Sequence, residues 1–216
     1  MDFGRAFSFP FQDPDWFKKT AIVALVSIIP VIGQFVLLGW AFEVVRRLIN
    51  RESDIPLPSL DFGGQLGKGF MLWLVSLIYA IPTIIFTLPM QLTPMIAAGM
   101  DDPEVGATIV AVISICCGGL SLIYSLLLLF VLPAAWGQYA ARGEFGAAFR
   151  FGEVFGLVRK APVAYLLVAL GYLLSFSIIA PLGLIACVIG VFLTTAYAAL
   201  VTAHLTGQAY LQGSSL

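Results

Sequence analysis

Val105–Trp136 reads VGATIVAVISICCGGLSLIYSLLLLFVLPAAW and holds no Asp, Glu, Lys, Arg or His over 32 positions. A helix crossing a bilayer needs about 20 consecutive apolar residues, so this run is long enough with residues to spare. Its apolar character is continuous rather than alternating, which disfavours a membrane β-barrel. Four more apolar stretches flank it: Thr20–Val45, Phe70–Ile96, Pro162–Ala180 and Gly183–His204. Of 216 residues, 60% are hydrophobic and 11% charged, against about half and about a quarter in a soluble domain. A soluble fold of this size could not hide so much apolar surface. The sequence therefore predicts an all-α, polytopic transmembrane helical bundle. It is one membrane domain over 1–216, made of the pieces 1–61, 62–141 and 142–216.

The few charges set the orientation. The link between the second and third runs carries Asp101, Asp102 and Glu104 and no Lys or Arg, so it reads as external. The link from Arg142 to Lys160 is basic and reads as cytoplasmic, and the short uncharged link near Pro181 and Gly183 reads as an external turn. Both termini are then cytoplasmic. The first twenty residues contain Asp2, Asp13 and Asp15 and no small-x-small site, so the first apolar run is expected to stay in the mature chain. The net charge of −1 gives no bulk electrostatic case for nucleic acid.

The first run is unusual because both its flanks are basic: Arg5, Lys18 and Lys19 before it, Arg46, Arg47, Arg51 and Lys68 after it. A single crossing would leave one basic cluster outside. Pro30-Val31-Ile32-Gly33 interrupts the run, and proline removes a helix hydrogen bond while the glycine tolerates a turn. Trp16–Asn50 therefore reads as a helical hairpin turning at Pro30 and Gly33; one long, kinked spanning helix is the other reading. An internal repeat adds to this. Phe3-Gly4-Arg5-Ala6-Phe7 resembles Phe145-Gly146-Ala147-Ala148-Phe149, with Phe62-Gly63-Gly64-Gln65-Leu66 a weaker third copy. The chain is then three helical hairpins, each behind a short lead-in, unless the similarity is chance in a biased sequence.

The lead-ins read as interfacial. Phe151, Val154, Phe155 and Val158 have helical spacing, with Arg150, Glu153, Arg159 and Lys160 on the polar side, as in an amphipathic helix lying in the cytoplasmic headgroup layer. The aromatic N-terminal stretch through Trp16, broken by Pro10 and Pro14, lies along the same surface. Arg150, Arg159 and Lys160 beside Phe151 and Phe155, together with Lys18, Lys19 and Trp16, form the candidate lipid surface. Each basic residue there is worth about 1 kcal/mol on an anionic membrane.

Inside the runs the clearest pattern is small residues at spacings of three and four. Ala107, Ala111, Ser114, Gly118, Ser121 and Ser125 form the third-run stripe, and Gly183, Cys187, Gly190 and Thr194 the fifth-run stripe. Such stripes let helices approach closely where lipid supplies no hydrophobic drive. No Asp, Glu, Lys or Arg lies in the middle of any run; Glu43 is nearest and has Arg46 and Arg47 at helical spacing. Ion-driven transporters carry buried ionisable groups, so this argues against a pump. Gln34, Gln91, Tyr79, Tyr124, Tyr172 and His204 are read as interhelical hydrogen-bonding residues, with His204 at the interface where the last helix ends.

The three cysteines, Cys116, Cys117 and Cys187, lack metal-ligand spacing and read as packing residues. Asp13, Asp15, Asp54, Asp61, Glu144 and Glu153 read as solvated loop charges. No phosphate-binding loop, serine-hydrolase or zinc-protease motif is present. The expectation is no catalytic residue, no metal and no cofactor.

Phe7-Ser8-Phe9-Pro10-Phe11-Gln12-Asp13-Pro14-Asp15-Trp16-Phe17-Lys18-Lys19 resembles the opening of an uncharacterised prokaryotic membrane family, domain of unknown function 4013. Pro30-Val31-Ile32-Gly33, Gly39-Trp40, Arg46-Arg47 and Asp61-Phe62-Gly63 are similar to the next part of that family's pattern. The resemblance implies a polytopic prokaryotic membrane protein and transfers no activity. The expected function is a non-enzymatic scaffold or accessory subunit in the inner membrane, with membrane lipids and other membrane proteins or itself as partners. Two alternatives stand: a passive channel or carrier for an apolar solute, and membrane shaping by the first hairpin.

Overall fold

The structure is a computed structural model that describes residues 1–51 and 57–215, with the backbone alone at 186–188. The loop carboxylate Asp54 and the side chain of Cys187 therefore lie outside the described residues. Among the described residues all regular structure is helical: α1 (Phe3–Ser8), α2 (Trp16–Ser27), α3 (Ile32–Ile49), α4 (Phe62–Ala97), α5 (Pro103–Arg142), α6 (Phe151–Lys160), α7 (Pro162–Leu174), α8 (Ala180–Leu182) and α9 (Cys187–Ser215). Tight 3-10 turns occupy Phe9–Gln12, Phe145–Phe149 and Gly183–Ala186, and a wider π turn joins α7 to α8. Among the described residues four stretches are long and apolar enough to cross a membrane: Phe62–Ala97, Pro103–Arg142, Pro162–Ile185 and Ile189–Ser215. These are the second to fifth apolar runs of the sequence.

The first run is divided instead. Pro30 has no N–H and crowds the carbonyl four residues back, so α2 stops at Ser27. Val31 then takes φ 67° and ψ −62°, and the N–H of Ile32 donates to the carbonyl of Pro30 at 2.7 Å. This is a γ-turn of the rarer, strained hand, and α3 starts directly after it. Gly33 is needed there: a Cβ on it would sit 2.2 Å from the carbonyl oxygen of Val26. The Gln34 side-chain amide donates to the Ser27 carbonyl at 3.0 Å, which closes the open end of α2.

The chain divides into two compact units, Met1–Val75 with Phe130–Leu216, and Ser76–Leu129. The boundaries fall inside α4 and α5. In the first unit α9 is the central element. Ala196, Ala198, Leu200, Val201, Leu205 and Ala209 are wholly buried, with α1, α2, α3, α6 and α7 packed against the helix. Glycine permits several of these approaches. The Leu205 side chain fills the space over Gly171, and Leu48 that over Gly207. At the α3–α4 crossing a Cβ on Gly39 would lie 1.9 Å from the Gln65 carbonyl oxygen, and one on Gly69 1.7 Å from that of Phe35. The two backbones touch, a packing mode favoured where lipid surrounds the helices.

The repeated aromatic motif has matching geometry at its two stronger copies. Phe3 and Phe7 stand 5.3 Å apart at 59°, and Phe145 and Phe149 5.2 Å apart at 63°. The alanine between them, Ala6 or Ala148, is fully buried in both. The third copy, from Phe62, simply opens α4.

The second unit is an antiparallel helix pair. Ala97 meets Gly106, Met90 meets Gly118, and the Tyr124 hydroxyl donates to the Tyr79 carbonyl at 2.9 Å. Asp102 caps the start of α5 by accepting from the N–H of Glu104 at 2.8 Å.

Candidate functional site

The small-residue stripe of α5 lies within that pair. Gly118, Ser114 and Ser121 are half-buried, with Gly118 against the Met90 side chain. Ala107, Ala111 and Ser125 are exposed, as is Cys116, while Cys117 is half-buried. At the other candidate packing position the structure brings two predicted residues together: Gly183 and Gly190 are both buried, and a Cβ on Gly183 would lie 2.3 Å from the Gly190 carbonyl oxygen. Thr194 fastens this contact by donating to the Ala180 carbonyl at 2.7 Å. Of the turn residues, Pro30 and Pro181 are exposed, and Gly33 and Gly183 are buried in close backbone contacts.

The N-terminal segment is strapped to α9 through side chains on one helical face. Tyr197 donates to the Phe7 carbonyl at 2.7 Å. His204 stacks on Phe9 at 4.3 Å. Gln208 exchanges hydrogen bonds with the backbone of Asp2, accepting from its N–H at 2.7 Å and donating to its carbonyl at 3.1 Å. The Gln208 amide and the His204 Nδ1 are 2.9 Å apart. This corrects the reading of His204 as an interfacial residue at a helix end: it is 3% exposed, and α9 runs on to Ser215. The apolar run ends at His204, but the helix does not, because α1 and its 3-10 turn cover the next turns of α9. The 7- and 4-residue spacing of Tyr197, His204 and Gln208 was the available signal for a shared face.

A second correction concerns Asp13, which is 3% exposed and not a solvated loop charge. Its carboxylate accepts from Lys19 Nζ at 2.6 Å, from the N–H of Leu57 at 2.6 Å and from that of Asp15 at 2.8 Å. Lys19 also donates to the Leu57 carbonyl at 2.9 Å, and the Trp40 indole N–H to that of Pro58 at 2.7 Å. Burial alone would raise the Asp13 pKa; the Lys19 hydrogen bond, the two backbone N–H donors and the Lys19 charge outweigh it and hold the carboxyl below the usual range. Lys19 of the candidate lipid surface is thus turned inward, whereas Lys18 is exposed. Trp16 is half-exposed and edge-on to Phe11 at 4.7 Å.

Glu43 is paired as expected with Arg46 at 2.7 Å and Arg47 at 3.8 Å. It also binds Lys68 of α4 at 2.6 Å, a partner 25 residues away that helical spacing cannot reveal. On α6, Val154 and Leu157 are buried, while Phe151 and Phe155 are 54% and 39% exposed. Arg159 and Lys160 are exposed. Arg150 pairs with Glu144 at 3.4 Å and Glu153 at 3.6 Å. Glu153 takes Arg142 at 2.7 Å and a hydrogen bond from Gln138, and the Tyr210 hydroxyl donates to Gln138 at 3.2 Å. This network ties the end of α5 to α6 and α9.

Among the described residues no group of three or more His, Cys, Asp or Glu side chains could hold a metal. No curated protein and no solved structure matches the chain. The profile of the family described as "Protein of unknown function (DUF4013)" matches residues 22–205, most of the chain. The matched region holds Pro30-Val31-Ile32-Gly33, Gly39-Trp40, Arg46-Arg47 and Asp61-Phe62-Gly63, and begins just after Phe7–Lys19. The chain belongs to the DUF4013 family.

Proposed function

We propose that this chain is a non-enzymatic membrane component, a scaffold or accessory subunit of a membrane assembly, acting through helix packing and lipid contact in the inner membrane of a prokaryote. In this reading it is built of three hairpins with both termini cytoplasmic. The N-terminal segment and the amphipathic α6 lie at the cytoplasmic surface, where Phe151, Phe155, Arg159 and Lys160 meet anionic lipid.

One observation supports it most. The most apolar windows of Phe62–Ala97 and Pro103–Arg142 are only 17% and 6% buried within the chain, against 39% and 50% for Pro162–Ile185 and Ile189–Ser215. Two of the four long apolar helices thus bury little of themselves within the chain. A photo-reactive residue at Ile115 or Ile123, which are 75% and 67% exposed, tests this in native membranes. The expected result is a discrete protein adduct of fixed mass, whether a second copy or another membrane protein. Lipid adducts alone from both positions overturn the scaffold reading.

A further inference from the structure

We propose that α2 and α3 form a re-entrant wedge, which enters the membrane from the cytoplasmic side and ends among the acyl chains of that one leaflet. This rests on the membrane reading above. The entry and exit of the pair lie together. Asp13 and Lys19, at the start of α2, bond the backbone of Leu57, which lies beyond the end of α3. Leu48, near the end of α3, packs over Gly207 of α9, and Gln208 beside it holds Asp2. Positive charge marks the same face twice: Lys18 and Lys19 on the way in, Arg46 and Arg47 on the way out, with no charge from Thr20 to Phe42.

The depth comes from helix rise. Lys19 to Ser27 covers about 12 Å. The turn takes the tip to about 15 Å, half the thickness of a bilayer's hydrocarbon core. The tip is dressed for that place. Ile28, Ile29, Val31 and Ile32 are 42%, 46%, 63% and 45% exposed, an apolar cluster open to the surroundings. Much of its backbone is nevertheless bonded within the turn, the Val31 N–H being the exception. The N–H groups of Ile28, Ile29, Ile32 and Gly33 donate to the carbonyls of Leu25, Val26, Pro30 and Ile29, and Gln34 takes that of Ser27. Non-helical backbone in hydrocarbon must be satisfied internally, whereas a turn in water needs none of this. The occupant these features fit is lipid tail.

The test uses the full-length chain in vesicles, with Cys116, Cys117 and Cys187 replaced by alanine. Nitroxide labels are placed at Lys18→Cys, Ile29→Cys and Ile32→Cys. Collision with oxygen against a water-soluble nickel chelate reports depth. The expected result is a shift of about 15 Å between the label at 18 and those at 29 and 32, placing the latter near the midplane. Tip labels at headgroup depth overturn the wedge, as does labelling of the Ile29→Cys variant by a membrane-impermeant maleimide from the external side. Tip labels shielded from both collision partners also overturn it, since protein would then cover the tip. A chain that does not enter vesicles overturns the membrane reading too, whereas an incorporated chain with a misplaced tip sinks only the wedge.

Discussion

Gly67 and Gly69 sit two positions apart near the start of α4 and are indistinguishable by composition, yet their surroundings differ completely. Nothing lies within 4 Å of a Cβ built on Gly67, while one on Gly69 would lie 1.7 Å from the Phe35 carbonyl oxygen and 2.8 Å from the Gly39 nitrogen. Gly67→Ala should therefore stabilise the chain by about 0.5–1 kcal/mol, the ordinary gain of alanine over glycine in a helix. Gly69→Ala forces two helix backbones apart and should cost about 3 kcal/mol, the upper end for overpacking. Thermal unfolding of the two variants in the same detergent checks this; equal shifts would mean that α3 and α4 do not cross there. The sequence could not say which of the two glycines meets a backbone, because that depends on Phe35, 34 positions away. Lys68 is illegible for the same reason: its Glu43 partner belongs to another helix.

At the scale of elements, legibility depends on how local the cause is. The break at Pro30 was readable because proline acts on the carbonyl of the residue four positions before it, and α6 was readable as a helix from its spacing. What α6 buries was not: Val154 and Leu157 turn inward and Phe151 and Phe155 outward, a split of the apolar face decided by where α9 lies. The N-terminal segment shows a further limit. Its Asp13 looks like any loop carboxylate until Leu57 closes on it. Because the folded-state pKa of Asp13 is depressed, its contribution to stability is present above the unfolded value of about 3.9 and is lost as pH falls through the lower folded value. A nitroxide at Asp15→Cys, on a cysteine-free chain, should gain a mobile component only below about pH 4. In the Asp13→Asn variant, which gives up the Lys19 ion pair, mobility should appear already at neutral pH. A mobile fraction independent of pH in the parent, or a variant as rigid as the parent, would show that the staple does not hold the segment.

Across the whole molecule, the number of crossings fixes where the ends lie. Five apolar runs were legible from composition, but among the described residues four emerge as helical stretches long and apolar enough to cross. Four crossings return the chain to the side it began on, whereas a fifth through Trp16–Ile49 would put its two ends on opposite sides. The N-terminal strap bears on this independently, since Asp2 is hydrogen-bonded to Gln208 in the last turns of α9. Segments joined by direct hydrogen bonds cannot sit on opposite faces of a membrane about 30 Å thick. In the topology proposed above, the charges choose the face: Asp101, Asp102 and Glu104 on one link, Arg142, Arg159 and Lys160 around the next. Single cysteines at Gln12, Asp101, Glu144 and Ser214, all exposed, test parity and sign together. In intact cells a membrane-impermeant maleimide should label only the cysteine at 101. The other three should react only after the membrane is opened. Labelling at 12 but not at 214 would restore a fifth crossing. Labelling at 12, 144 and 214 with protection at 101 would keep the parity and invert the molecule.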